Sequence, residues 1–172
     1  SACTNGEDDV PTRVLPDNVV NLDGYYRRPW LMELLGCICK RKFTNDLHLI
    51  KSIRRVLQKG DILCMYPEAR YSPVGTTAIL PDSLGKLIKM NKVPVVVLLH
   101  HGNYLHTPFW NYRKPRKAPL YTTMTKILST EDIERMTAEE INTSVRDAMK
   151  YDEYEWQRKQ GIIIDEPFRA EG

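Results

Sequence analysis

An α/β layered fold, a sheet flanked by helices, is what this sequence predicts, and three observations predict it. Short apolar runs of strand character alternate with helical patterns between residues 18 and 99. The run Val93–Leu99 is β-branched and apolar apart from Pro94, as a central strand covered on both faces requires. The chain has 172 residues, 42% hydrophobic and 27% charged, which is enough for one domain with a sizeable core. That composition excludes a disordered, collagenous or low-complexity chain. No apolar run approaches the ~20 residues of a membrane-spanning helix.

The elements follow in order. Asn18–Leu22 reads as a short strand, and an apolar helix across Pro29–Leu35 is stopped by Gly36. Cys37–Phe43 reads as a strand. Thr44 or Asn45 caps a helix with Leu47, Ile50, Ile53 and Leu57 on one face, closed by Gly60. Asp61–Tyr66 is a compact buried strand that Pro67 breaks, and a loop rich in Pro, Gly, Ser and Thr runs from Pro67 to Leu80. Pro81 suits the first turn of a helix through Leu84, Leu87 and Ile88. After Val93–Leu99 comes one more strand, Leu120–Leu128. Thr137-Ala-Glu-Glu140 is then a capping box that opens a long polar helix to about Gln160, ended by Gly161. This divides the chain into an α/β domain over 1–128 and a C-terminal helical extension and tail over 129–172. No internal repeat is present.

Charge is distributed unevenly. Residues 131–172 carry 12 acids and 6 bases, whereas residues 1–130 carry a net +9. A basic body with an acidic tail suits a domain that handles phosphates or an anionic membrane surface, though proteins that do neither also show it. Cys3, Cys37, Cys39 and Cys64 form no metal-site spacing with a nearby His, so reduced thiols are expected. No initiator Met and no signal-like segment precedes Ser1.

The chemistry concentrates in Tyr66-Pro67-Glu68-Ala69-Arg70-Tyr71-Ser72. A buried strand delivers a carboxylate and a guanidinium, two residues apart, into a loop at its carboxyl end, where ligands of open α/β sheets collect. Arg70 can grip a phosphate with its planar fork of donors, and Glu68 can accept hydrogen bonds from substrate hydroxyls. The same pair can equally serve to stabilise its own loop. Lys40-Arg41-Lys42, at the end of another strand, converges on the same crevice if that strand is near the Asp61–Tyr66 strand; otherwise it is a solvated strand end.

The 66–72 segment resembles the Phe-Pro-Glu-Gly-Thr-Arg-Ser block of the 1-acylglycerol-3-phosphate acyltransferases, the glycerolipid acyltransferase family, in its bacterial form. Gly36-Cys-Ile-Cys-Lys-Arg41 resembles the family's second block, a glycine before an apolar strand ending in Arg. Val93-Pro94-Val95-Val96-Val97 resembles its fourth, an apolar strand carrying Pro. Leu-Pro-Asp-Ser-Leu-Gly-Lys at 80–86 resembles the continuation found in a bacterial subgroup. The likeness covers about residues 1–125, and the long C-terminal helix lies beyond what the family core requires.

The resemblance implies a glycerolipid-acyltransferase-like layered fold and acyl transfer from acyl-CoA or acyl carrier protein to a lysophosphatidate-like acceptor in phospholipid synthesis. It implies that Glu68, Arg70 and Ser72 bind the acceptor, with Arg41 as a further phosphate contact. No metal or tightly bound cofactor is implied, and the implied location is cytoplasmic, at the inner face of the membrane.

The family's catalytic first block is His-x-x-x-x-Asp, and here the sequence departs. Only Cys3-Thr-Asn-Gly-Glu-Asp8 has that spacing. Asp8 thus matches the residue that orients the base, while Cys3 stands where the His should take the acceptor's proton. A thiol with a pKa of about 8.5 is a poor general base near neutrality. The strand that precedes this block in the family has no counterpart before Cys3. That leaves a chain beginning inside the domain, a member that binds lipid without turnover, or a first block upstream of Ser1; the missing strand favours the first.

Of the histidines, His48 reads as a partly exposed helix residue. His100 and His101 close the Val93–Leu99 strand and either face the crevice of Glu68 or are structural, and His106 lies in the next loop. None has an Asp at the family spacing. The stretch His101–Pro119 interleaves Tyr104, Phe109, Trp110 and Tyr112 with Arg113, Lys114, Arg116 and Lys117, and contains no acid. That mixture suits a membrane interface, single-stranded nucleic acid, or a loop anchored by its aromatics. With the family resemblance, a membrane surface is expected and nucleic acid is not.

Overall fold

The computed structural model describes residues 17–21, 29–40, 47–68, 72–108 and 115–165. Cys3, Asp8, Arg41 and Arg70 lie outside the described residues, as do Phe109, Trp110 and Tyr112–Lys114. By its internal contacts the chain forms two compact units, residues 1–66 and 67–172.

The first unit is built on three parallel strands, β1 (Asp17–Asn21), β2 (Cys37–Lys40) and β3 (Leu63–Cys64), in the order β2-β1-β3. Asn18 aligns with Cys37 on one side and with Cys64 on the other. All three strands run the same way, so the carboxyl ends of β2 and β3 lie at the same end of the sheet. Two helices accompany it: α1 (Pro29–Leu34) packs on β2, and α2 (Leu47–Gln58) packs on β2 and β3. The expected apolar row of α2 is present, but only Ile53 is fully buried while Leu47 is largely exposed. Gly36 and Gly60 end their helices in the left-handed conformation, as expected. The strand expected over Asp61–Tyr66 pairs with β1 only at Leu63–Cys64.

The second unit contains α3 (Ser83–Asn91), β4 (Val95–His101), α4 (Asn103–His106), β5 (Tyr121–Leu128), α5 (Thr130–Arg135), α6 (Ala138–Ala148) and α7 (Glu153–Gln160). β4 and β5 pair antiparallel from Val95↔Leu128 to His101↔Tyr121, with an irregularity at Val97/Leu98. The expectation that Val93–Leu99 is covered on both faces is not met among the described residues. Pro94 has no N–H for a ladder, and the strand starts after it. Along it burial alternates: Val97 is buried, while Val96 and Leu98 are 52% and 53% exposed beside Ile127 and Met124. An apolar run is compatible with one-sided or two-sided burial, and its own residues do not decide between them.

The core of this unit lies where α3 and α6 meet the sheet. Leu80, Leu84, Val97, Leu128, Ile133, Ile141 and Val145 are buried there. Helix α3 approaches α6 so closely that a Cβ on Gly85 would stand 2.0 Å from the Ala138 carbonyl oxygen, leaving no room for any side chain. Asn142 Oδ1 accepts from the Gly85 N–H at 3.3 Å, which satisfies a buried amide across this contact.

The capping box is as expected. Thr137 Oγ1 accepts from the Glu140 N–H at 3.2 Å, and Glu140 accepts from the Thr137 N–H at 2.7 Å. A second box, Ser129 with Asp132, opens α5. The single long helix expected from Thr137 to Gln160 is instead two helices, α6 and α7. Met149 still has helical backbone angles as the C-cap of α6, whereas Asp152 is extended and caps α7, its side chain accepting from the Glu155 N–H at 3.0 Å.

Lys89 ties the helices together at the end of α5. Its Nζ donates to the carbonyls of Ile133, Glu134 and Met136 at 2.8, 2.9 and 2.7 Å. These are carbonyls without intrahelical partners, and a cation is favoured beside them by the helix dipole. Replacing Lys89 with Met, which keeps the stem and removes the donors, is expected to cost about 2–3 kcal/mol in urea unfolding. Lys92→Met, which removes an exposed ion pair to Glu134 at 3.4 Å, is expected to cost no more than about 0.5 kcal/mol.

Candidate functional site

The loop after Pro67 has almost no regular structure of its own, yet it is ordered by side chains. Glu68 is half-buried, and its Oε2 accepts from the Ala78 N–H at 2.9 Å. Ser72 Oγ accepts from the Thr76 N–H at 2.9 Å. Two of the expected acceptor-binding residues, Glu68 and Ser72, are therefore brought together on one short extended segment, Thr76–Ala78. Among the described residues one N–H meets this carboxylate, which has about four acceptor positions and so has capacity for a ligand's donors.

The opposite edge of that segment is held by the connection between α6 and α7. The Thr77 N–H donates to the Tyr151 carbonyl at 3.0 Å, and the Glu153 N–H donates to the Gly75 carbonyl at 2.9 Å. Thr76 and Asp152 thereby form an antiparallel bridge. The Thr77 hydroxyl adds a bond of 2.6 Å to the Met149 carbonyl. Gly75 has φ +74°, and a Cβ there would come within 2.9 Å of Glu153 Cβ and 3.0 Å of the Tyr104 ring, so both backbone geometry and space call for glycine. Tyr104 also donates its hydroxyl to the Pro73 carbonyl at 2.9 Å.

Beneath this contact lies a buried group of polar side chains that sequence reasoning did not single out. Glu153 is 1% exposed. Its Oε1, the Tyr151 hydroxyl and His101 Nδ1 are all enclosed without a well-formed hydrogen bond. Burial pushes the Glu153 carboxyl above the usual carboxylate range; the nearby Tyr151 hydroxyl and the backbone of Leu105 and Gly102 offset only part of this. Burial, and then the Glu153 carboxylate, raise the Tyr151 phenol.

His101 is structural, not a companion of Glu68 at an open crevice. It stacks on Tyr121 at 4.9 Å, meets Tyr151 edge-on at 5.1 Å and lies 5.5 Å from Trp156. Its Nε2 bonds to Thr123 Oγ1 at 2.7 Å, and burial, helped by His100, lowers its pKa below the usual histidine value. His100 is exposed and bonded to Thr122 Oγ1 at 2.7 Å, while His106 bonds to the adjacent Thr107. His48 is exposed on α2. The aromatic residues 121, 151 and 156 were the available signal for His101, but they are far apart in the chain.

The sequence matches no protein-family model and no curated protein sequence. The crystal structure of the 1-acyl-sn-glycerophosphate (LPA) acyltransferase PlsC from Thermotoga maritima, in contrast, superposes on 93% of this chain and 72% of its own, with a TM-score of 0.63 at 11% identity. The chain has the PlsC fold. The expected layered α/β architecture is therefore shown, with a fold like that of a bacterial acyltransferase. Set on the PlsC fold, the Pro67–Leu80 loop is the segment in which motif residues and built geometry coincide.

The buried Glu153 makes a prediction with a definite sign. A carboxyl whose pKa is raised in the native state, from the usual 4.5, binds protons there more readily than in the unfolded chain. Its contribution to stability is fully present below about pH 4.5 and is lost as pH rises through the native value. Glu153→Gln is therefore expected to gain stability relative to the parent as pH climbs from about 4 to about 7, read as urea midpoints. A difference that is flat with pH would mean the native carboxyl is not raised.

Proposed function

We propose that this chain is an acyltransferase that moves a fatty acyl group from acyl-CoA or acyl carrier protein to the free hydroxyl of a lysophosphatidate-like acceptor. The observation that carries the reading is the coincidence of a PlsC fold with the Pro-Glu-Ala-Arg-Tyr-Ser motif, on a loop that pins Glu68 and Ser72 side by side. Glu68 accepts from a glycerol hydroxyl, Ser72 adds a polar contact, and Arg70 pairs with the phosphate through its fork of donors. By the resemblance of Gly36–Arg41 to the family's second block, Arg41 adds a second cation for the phosphate.

In the reaction, the acceptor hydroxyl attacks the thioester carbonyl. The hydroxyl proton passes to a base and the thiolate leaves with the donor. Asp8 orients the base, and Cys3 occupies the base's position in the matching block. The basic, aromatic stretch around Tyr104 to Lys117 brings the loop to an anionic membrane surface. No helix among the described residues is long and apolar enough to cross a membrane, which fits peripheral contact.

Cys3 in place of His favours a second reading, a lipid- or phosphate-binding member of the fold without turnover. Thiol release from acyl-CoA and from acyl carrier protein, with and without lysophosphatidate, separates the two. Glu68→Gln is the informative variant, because a Gln amide oxygen can still accept from the Ala78 N–H. Acceptor-dependent release that falls about 10–100-fold in Glu68→Gln establishes the acyltransferase. Binding of lysophosphatidate without release establishes the second reading. Neither binding nor release overturns both.

A further inference from the structure

We propose that the α6–α7 connection, Met149–Glu153, is a positioning element for the acceptor loop, and that Thr77 is the residue through which it sets acceptor affinity. The proposal rests on the acyltransferase reading of that loop.

Successive N–H groups of an extended segment point to opposite edges, and Thr76–Ala78 uses this alternation fully. The N–H groups of Thr76 and Ala78 hold Ser72 and Glu68 on one edge. The N–H and hydroxyl of Thr77 hold the carbonyls of Tyr151 and Met149 on the other. The segment is a three-residue strut between the ligand-binding side chains and the C-terminal connection. A loop of this length needs such a strut, since its described residues have neither helix nor ladder beyond the Thr76↔Asp152 bridge.

The connection is a firm anchor. Glu153 is enclosed, its N–H fixes the Gly75 carbonyl at 2.9 Å, and Asp152 begins α7 as its cap. A side chain at Gly75 would break the fit, and Tyr104 holds Pro73 by hydrogen bonding. The break between α6 and α7, which interrupts an otherwise helical pattern, is what exposes the carbonyls of Met149 and Tyr151 to Thr77. The reaction scheme gives none of these groups a part in the donor thioester chemistry, so loosening the strut is expected to be felt at the acceptor. A displacement of about 1 Å in a binding group can cost up to about 100-fold, and one lost neutral hydrogen bond sets a smaller, measurable change.

The test compares Thr77→Val, which removes the hydroxyl donor and keeps the shape, with Thr77→Ser, which keeps the donor. In Thr77→Val the KM for lysophosphatidate is expected to rise about 3–10-fold, with kcat and the KM for acyl-CoA within about twofold, and Thr77→Ser is expected to recover most of the acceptor affinity. Amide exchange at Thr76 and Ala78 is expected to quicken in Thr77→Val while β4 and β5 stay protected. Equal changes in donor and acceptor parameters, no change at all, or failure of Ser to rescue would overturn the proposal. A parent chain with neither turnover nor lysophosphatidate binding would instead overturn the acyltransferase reading. Exchange rates that stay unchanged at Thr76 and Ala78 would, by themselves, remove the strut.

Discussion

The pairing of Gly75–Thr77 with Tyr151–Glu153 is the constraint from which most of the second unit follows. Two backbone hydrogen bonds and the Thr77 hydroxyl join residues more than seventy positions apart. They oblige the chain to leave helix after Ala148 and re-enter it at Glu153. They also carry Glu153 into the interior, where a carboxyl is costly unless it stays protonated or is well partnered. The aromatic rings of Tyr121, Tyr151 and Trp156 around His101 close the space beside it, and Trp156 Nε1 donates to the Tyr121 hydroxyl at 3.0 Å. The site loop is thereby ordered from below, by a polar cluster that is expensive to bury and correspondingly specific in arrangement.

The same economy recurs between α3 and the C-terminal helices. Gly85 admits the α6 backbone, Asn142 satisfies the buried amide that this approach creates, and Asn142 Nδ2 and Arg146 reach Asp82 Oδ1 at 3.3 and 2.9 Å. Lys89 closes the end of α5. Residues beyond 128 therefore supply buried apolar surface, hydrogen-bond partners and helix caps to the segment that carries the motif. Their acidic, polar composition hides this, because the contacts that matter are a handful of side chains and carbonyls on otherwise solvated helices.

Much of this was legible locally. Gly36, Gly60 and Gly161 ended helices where glycine tolerates a positive φ, and Thr137 with Glu140 announced α6. The Ser129–Asp132 box was equally readable, and marks a short helix that the strand-then-helix pattern passed over. The break at Met149–Asp152 was not legible, because its partner is Gly75–Thr77 and no local signal carries a pairing at that separation. The one-sided burial of β4 was hidden for a related reason: an apolar run looks the same whichever of its faces is covered. At the site, the motif pointed to Glu68 and Ser72 but said nothing of Thr77, which has no chemistry to advertise and acts through carbonyls. His101 looked like a candidate for the crevice only because its aromatic neighbours arrive from three distant segments.

Glu68 sharpens the choice between a loop that merely holds itself together and one built to bind. Capping the Ala78 N–H needs one neutral acceptor, and Ser72 does that work for Thr76 with a hydroxyl. A carboxylate at the same task offers more acceptor positions than the described residues of the loop fill. Excess acceptor capacity on a rigid strut has a physical use when a hydroxyl-bearing ligand arrives, because the side chain is already oriented and little freedom remains to be lost on binding. A self-stabilising loop would gain as much from Gln and avoid the charge. Under the acyltransferase reading, that surplus is the capacity with which Glu68 would hold an acceptor hydroxyl.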